Sequence, residues 1–282
     1  MRIRVIALRT AYWRPGTDYV TTISEAVQHL VRDGDIVTVS EKALSVALGF
    51  IVNESKIRPS LLARLLSKIW VRKVWGGPLG KITRLRRRTL EQLRNYPIAE
   101  GAAHKEVALR HVGLLQALRH YSEGGIDASN LPYSYVSLPL RDGTAVAEEL
   151  REAIEKRTGR RVTVMIVDGD TTYSLRNLHM APRRLKVKGL IHFGGFLTFV
   201  LGRALGLKER ATPIAISGAA LNPDYALTLA EIAHRVRGGG AGRTVWSMSR
   251  RFGVGLAEVT WEMLEGVVHR PIVVLRTERE GK

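Results

Sequence analysis

Residues 161–167, Arg-Val-Thr-Val-Met-Ile-Val, most narrow what this chain can fold into. Apolar and β-branched side chains follow one another with almost no polar interruption. A strand of that kind is stable when both of its faces are covered, which calls for a sheet flanked by helices and a mixed α/β (α+β) fold. The run passes straight into Asp168-Gly169-Asp170-Thr171-Thr172. Acidic side chains at the carboxyl end of a buried strand sit where sheets of this class hold ligands.

The flanking patterns agree with that layering. Residues 2–8 alternate like a strand, and 9–18 form a loop with Trp13-Arg14-Pro15-Gly16 at its tip. Thr22 and Glu25 have the spacing of a capping box for a helix that stops before Asp33-Gly34. Residues 36–39 make the next strand, which delivers Ser40-Glu41-Lys42 at its end. Further along, 135–140 reads as a strand and 145–157 as a charged helix ended by Gly159. A strand at 212–216 lies between helices at 189–205 and 223–236, the second opened by Asn222-Pro223 as N-cap and first residue. Residues 271–275 close the chain as a strand.

Composition acts mainly by exclusion. The chain has no cysteine, which removes disulfides, zinc–thiolate sites and thiol catalysis and fits a cytoplasmic setting. Its first residues lack the apolar block of a signal peptide. The longest apolar run, 189–202, contains His192 and is too short to cross a bilayer, so no membrane span is expected. The balance of 44 Lys plus Arg against 26 Asp plus Glu gives +18. Between Lys56 and Arg94, twelve basic residues face one acid, Glu91, a local net +11. Nucleic acid, an anionic membrane surface and a polyanionic small substrate are the partners such charge admits. A solvated basic face of the thermophile kind is the plain alternative.

Within that basic stretch, residues 54–96 read as a helical excursion. Ser60 caps a helix in which Leu61, Leu62, Leu65, Leu66, Ile69 and Trp70 form one stripe and Arg64, Lys68 and Arg72 another. The expectation is that the apolar stripe faces the core. His104, His111 and His120 have no carboxylate at ligand spacing and read as core or surface histidines. Residues 237–255 read as an insertion whose glycine run, 237–243, either cradles a phosphate or forms a mobile loop. The pattern 244–252, Gly253-Val254-Gly255, 256–265 resembles a helix-turn-helix, but Glu258, Glu262 and Glu265 on its second helix would repel phosphates.

Gly124-Gly125-Ile126-Asp127-Ala128-Ser129-Asn130 carries the most concentrated chemistry. Paired glycines let backbone approach a ligand, and a carboxylate, a hydroxyl and an amide follow within four positions. Carboxylate and amide oxygens suit a hard cation while backbone N–H groups hold an anion. An Asx-type turn between strands is the plain reading.

The string GIDASN at 125–130 matches the signature of the coenzyme F420-0:L-glutamate ligase family without a change, and three further stretches resemble the same family. These are residues 33–42, which end in Ser40-Glu41-Lys42, residues 161–168, and Met263-Leu264-Glu265-Gly266 ahead of 271–276. The resemblance, to a divergent archaeal-type member, implies an intertwined homodimer over 1–282 with a single catalytic region. It also implies GTP as co-substrate, Mg2+ or Mn2+, a deazaflavin or other anionic carboxylate acceptor, and L-glutamate. Carried over, Asp127 and Asp168 are catalytic and hold metal, and Glu265 holds a second ion. Tyr12, Trp13, Arg14, Glu41, Lys42, Asn130 and Gly266 meet the nucleotide. Two positions depart from the family: Gly169 stands where a metal-binding threonine is expected, with Asp170 as a stand-in, and Val46 stands where a lysine is expected. A non-catalytic nucleic-acid or RNA-binding protein on the same fold, using residues 56–94, is the alternative function.

Overall fold

The computed structural model describes residues 2–121 and 123–278. Its strands are Arg2–Thr10 (β1), Ile36–Ser40 (β2), Ile51–Asn53 (β3), Tyr135–Ser137 (β4), Thr163–Leu175 (β5), Leu178–Ala181 (β6), Ile191–His192 (β7), Lys208–Ser217 (β8) and His269–Glu278 (β9). The apolar segment becomes β5, the axis of a mixed sheet. Along one edge of β5, β2 runs parallel to its first half, with β9 and β1 beyond, and β6 and β7 continue beside its second half. β8 runs antiparallel along the other edge. β3 and β4 form a separate antiparallel pair.

Period-two alternation sorts the central strands between two cores. Val164 and Ile166 join Val37, Val39, Ile272 and Val274 against the helices Tyr19–Val27 and Gly143–Thr158. Met165 and Val167 point the other way, with Val273 and Leu275, against the helix Pro223–Arg237. Burying each such side chain contributes about 1.5–3 kcal/mol. Both faces are covered, as the unbroken apolar run requires.

β5 does not end at Val167, where the acidic cluster suggests a loop. Asp168 pairs with Thr212 and Thr171 with Ala211, so Gly169 and Asp170 are extra residues in the ladder. They form a bulge, which re-aims side chains without terminating the strand. The Thr-Thr-Tyr-Ser that follows favours extended structure and carries the ladder on to Leu175.

Other local expectations shift for similar reasons. The first helix starts at Tyr19 and is capped by Asp18, whose carboxylate accepts from Thr21 N at 3.0 Å, in place of a Thr22–Glu25 box. Residues 189–195 are not helical; the helix there is Phe196–Ala204. Val245–Phe252 is helical, but only Trp261–Glu265 forms after it, capped by Thr260, so the helix-turn-helix does not exist. Asn222 and Pro223 open their helix as expected.

The basic excursion folds onto the helix Ile98–His111. It begins as the helix Leu61–Leu65, capped by Ser60, and continues as a π-helical turn, Leu66–Trp75. Ala63 in the α-helical part and Leu66, Ser67, Val71 and Trp75 in the π-helical part form the buried side. The apolar stripe expected in the core is therefore largely outside: Leu61 is 77% exposed, Leu65 53%, Leu62 47% and Ile69 45%.

The helix Gly143–Thr158 stops at Gly159, which adopts φ 67 and has nothing within 4 Å of an added Cβ. Gly159→Ala should therefore cost backbone strain alone, about 1 kcal/mol, measurable as a lower denaturant midpoint with an unchanged slope. An unchanged midpoint would show that this helix end can be rebuilt without the left-handed residue.

Candidate functional site

The loop at 124–130, the β5 bulge and the first turn after β2 meet at one cavity of about 260 Å³. Ser40 ends β2 and Lys42 lies in the first turn of the helix Glu41–Ala47, so the strand's carboxyl end delivers the lysine. Lys42 Nζ donates to Asp127 Oδ2 at 2.6 Å and to Ser129 Oγ at 2.7 Å. Asp127 Oδ1 accepts from Ser129 N at 2.6 Å, the Asx turn of the plain reading. Burial works against the Asp127 charge, yet Lys42 and the Ser129 N–H hold its carboxyl below the ordinary value.

Across the cavity, Arg183 Nη1 donates to Asp168 Oδ2 at 2.9 Å and to Glu41 Oε2 at 2.6 Å, while Nη2 reaches Glu41 Oε1 at 2.8 Å. Gly125 permits this: a Cβ there would lie 2.6 Å from Arg183 Nη1, and its φ of 97 is closed to most residues. Asp170 is held at both oxygens by Arg119, at 3.0 and 3.2 Å.

The far wall is cationic and rich in glycine. Asn130 pins the glycine run, donating to Gly242 O at 2.9 Å and accepting from Ala241 N at 2.6 Å. Arg237 precedes that run and donates to His234 Nδ1 at 3.2 Å; among the described residues it has no carboxylate partner. Burial lowers the pKa of Arg237, and burial together with Arg237 lowers that of His234, which favours the neutral imidazole. Trp13, 2% exposed on the cavity wall, has an indole N–H with no partner among the described residues. An indole N–H and a guanidinium without a carboxylate partner among the described residues, lining one cavity, are donors that suit an anion.

A second chamber, of about 810 Å³, lies on the other side of the same loop, and Ile126, Asp127, Ser129 and Arg243 line both. Its walls include Tyr96, Tyr121, Tyr133, Tyr135 and Trp246. The Tyr121 hydroxyl and His120 Nδ1 are buried without partners among the described residues. His104 lies between two carboxylates, Glu54 Oε1 at 2.6 Å and Glu123 Oε2 at 3.1 Å, and Lys105 Nζ donates to Glu123 Oε1 at 2.6 Å. Sequence spacing gave no sign of these carboxylates, because they come from 50 and 19 positions away. Burial alone would lower the His104 pKa; Glu54 and Glu123 outweigh it and raise it to about 10.

The family described as F420-0:Gamma-glutamyl ligase matches residues 7–194. The chain belongs to that family. An uncharacterised protein of Methanocaldococcus jannaschii is 31% identical over 293 aligned residues, covering 99% of this chain and 98% of that one. The coenzyme F420:L-glutamate ligase of the same organism is 27% identical over 168, covering 59% of this chain and 60% of its own.

With the family established, the positions implied for its members can be located. Tyr12, Trp13, Lys42, Asn130, Asp127, Asp168 and Asp170 all line the smaller cavity. Arg14, Glu41, Glu265 and Gly266 do not. Arg14 pairs with Glu265 at 2.8 Å and sits over the Trp261 ring. Glu41 is 2% exposed and occupied by Arg183. Glu265 ends the helix Trp261–Glu265, which Gly266 caps. Gly169 has a local cause, since the His234 ring lies 3.0 Å from where its Cβ would be. Sequence reading missed Arg119, Arg183 and His234, which reach the site from elements whose pairing no local pattern reveals.

The carboxylates that could offer oxygens to a divalent ion here are Asp127 and Asp168, each already paired with a cation, Lys42 and Arg183. Asp127 and Asp168 open onto the same cavity, and Asp168 Oδ1 has no partner among the described residues. Mg2+ is commonly held by one or two carboxylates, with water and phosphate completing the shell. Asp170 is spent on Arg119 and Glu265 lies elsewhere. No group of three or more His, Cys, Asp or Glu suited to a metal occurs among the described residues.

A folded-state pKa of about 10 for His104, above the unfolded 6.5, gives stability that is complete below about pH 6.5 and lost as pH rises toward 10. Melting temperature should fall across that window, and His104→Gln should flatten the fall. Parallel pH profiles for the two proteins would remove the ion pair from this account.

Proposed function

We propose that this protein is a GTP- and divalent-metal-dependent acid–amino-acid ligase. It would join L-glutamate through an amide to the carboxylate of a phosphorylated deazaflavin (F420-0) or a related planar, anionic acceptor. The observation that carries this reading is the common wall of the two chambers. A nucleotide phosphate in the smaller and an acceptor in the larger would meet at Asp127 and Ser129.

In this reading the acceptor lies among the tyrosines and Trp246, with its carboxylate toward the loop. The triphosphate lies against Arg237, Arg243 and the backbone of the glycine run pinned by Asn130. A carboxylate oxygen bonds to the γ-phosphorus as the bond to the β–γ bridging oxygen breaks, which gives an acyl phosphate and GDP. The glutamate nitrogen then bonds to the acyl carbon, phosphate leaves with the electron pair, and the surplus proton passes to solvent. A divalent ion held by Asp127 and Asp168 would neutralise phosphate oxygens. Phosphoryl transfer of this kind depends on positioning and charge, which Lys42, Arg183 and Arg237 supply. An expected homodimer has its own candidate face, the exposed Leu197, Leu201 and Leu205 beside Ile191 and Phe193.

With GTP, Mn2+, glutamate and a deazaflavin acceptor, mass spectrometry should show a glutamyl adduct, and GDP should form only when both co-substrates are present. Asp127→Asn should lower turnover at least about a hundredfold, because a bound ion contributes several kcal/mol to the transition state. Arg237→Gln should raise the KM for GTP about tenfold or more, from the loss of a charged hydrogen bond of about 1.5–3 kcal/mol. GTP binding without any adduct would leave the fold intact and end the ligase assignment.

A further inference from the structure

We infer that the helical segment running from Leu61 to Trp75 docks this protein onto an anionic lipid surface. The observation is independent of the ligase reading. Leu61, Leu62, Leu65 and Ile69 stand 77, 47, 53 and 45% exposed on one side of a single helix. Four large aliphatic side chains held in solvent on one face mark an interaction surface. Arg64, Lys68 and Lys73 are exposed on the same segment and have no ion pair among the described residues. Apolar side chains bounded by free Lys and Arg are the pattern of a helix lying in a membrane interface.

Charge decides the occupant. The stretch from Lys56 to Arg94 carries twelve basic residues and one acid. A second copy seated on this face about a two-fold axis would set that charge against itself. Nucleic acid would satisfy the basic residues but leave the leucines in water. An anionic bilayer takes both, the phosphates pairing with Arg64 and Lys68 while the leucines enter the acyl boundary. No helix among the described residues is long and apolar enough to cross a membrane, so the contact is peripheral. Arg64 also lines the larger chamber, which therefore adjoins the docked face.

The full chain would be sedimented with phosphatidylcholine vesicles containing or lacking phosphatidylglycerol, at low and high salt. Binding is expected to the anionic vesicles only and to weaken with salt. Arg64→Glu with Lys68→Glu should lower partitioning at least about tenfold. Leu61→Ser, Leu62→Ser and Leu65→Ser together should lower it comparably; the three side chains lie outside the core, so circular dichroism and melting should match wild type. Wild-type protein left in the supernatant with anionic vesicles would overturn the proposal. So would leucine-variant binding equal to wild type, which would reduce the contact to charge. A smaller assembly mass for the leucine variant by light scattering would overturn it too, by assigning the face to a protein partner.

Discussion

The buried guanidinium of Arg183 is the contact on which the site depends. It joins Glu41, at the end of β2, to Asp168, in the bulge of β5, and passes within reach of Gly125. Three segments far apart in the chain are thereby held in one register. Removing one partner of a buried pair leaves an uncompensated charge and typically costs about 3–5 kcal/mol. The arrangement constrains sequence as well: Gly125 can carry no side chain because the arginine occupies that space.

Charge in the smaller cavity is distributed in an ordered way. Asp127 has Lys42, Asp168 has Arg183 and Asp170 has Arg119. At Asp127 the pairing outweighs burial and holds the pKa below its ordinary value, whereas at Asp170 burial outweighs Arg119 and raises the pKa to about 6. Arg237 and Arg243 have no carboxylate partner among the described residues, so the cavity carries surplus positive charge and suits an anion. The second chamber is tied to the first through Arg119, whose guanidinium holds Asp170 while its carbonyl accepts from Lys105, the partner of Glu123. The His104 cluster thus stiffens the aromatic chamber and braces the wall behind the bulge.

The family relationship and the cavity geometry bear on different questions. Membership covers the fold and the ligase class. The geometry singles out residues of this chain. His234 occupies the space beside Gly169, and Arg237 opens the glycine run. Both lie beyond residue 194, where the family match ends.

Sequence by itself determined the layered architecture, because an unbroken apolar strand such as 161–167 has no stable place except between two covered faces. It also determined several element ends, at Ser60, Gly159 and Asn222–Pro223, where capping is local chemistry, and it located the GIDASN loop and Asp168. Tertiary structure decided what those residues touch. The bulge at Gly169–Asp170 arises from pairing with β8, and the carboxylates around His104 come together only when the helix Ile98–His111 packs. The leucine stripe at 61–69 illustrates the division: a helical period identifies an apolar face, but which neighbour covers it, or whether any does, depends on packing between elements. Glu265 lies in a motif-like string yet pairs with Arg14 outside the cavity, since a local pattern carries no information about where its backbone is placed.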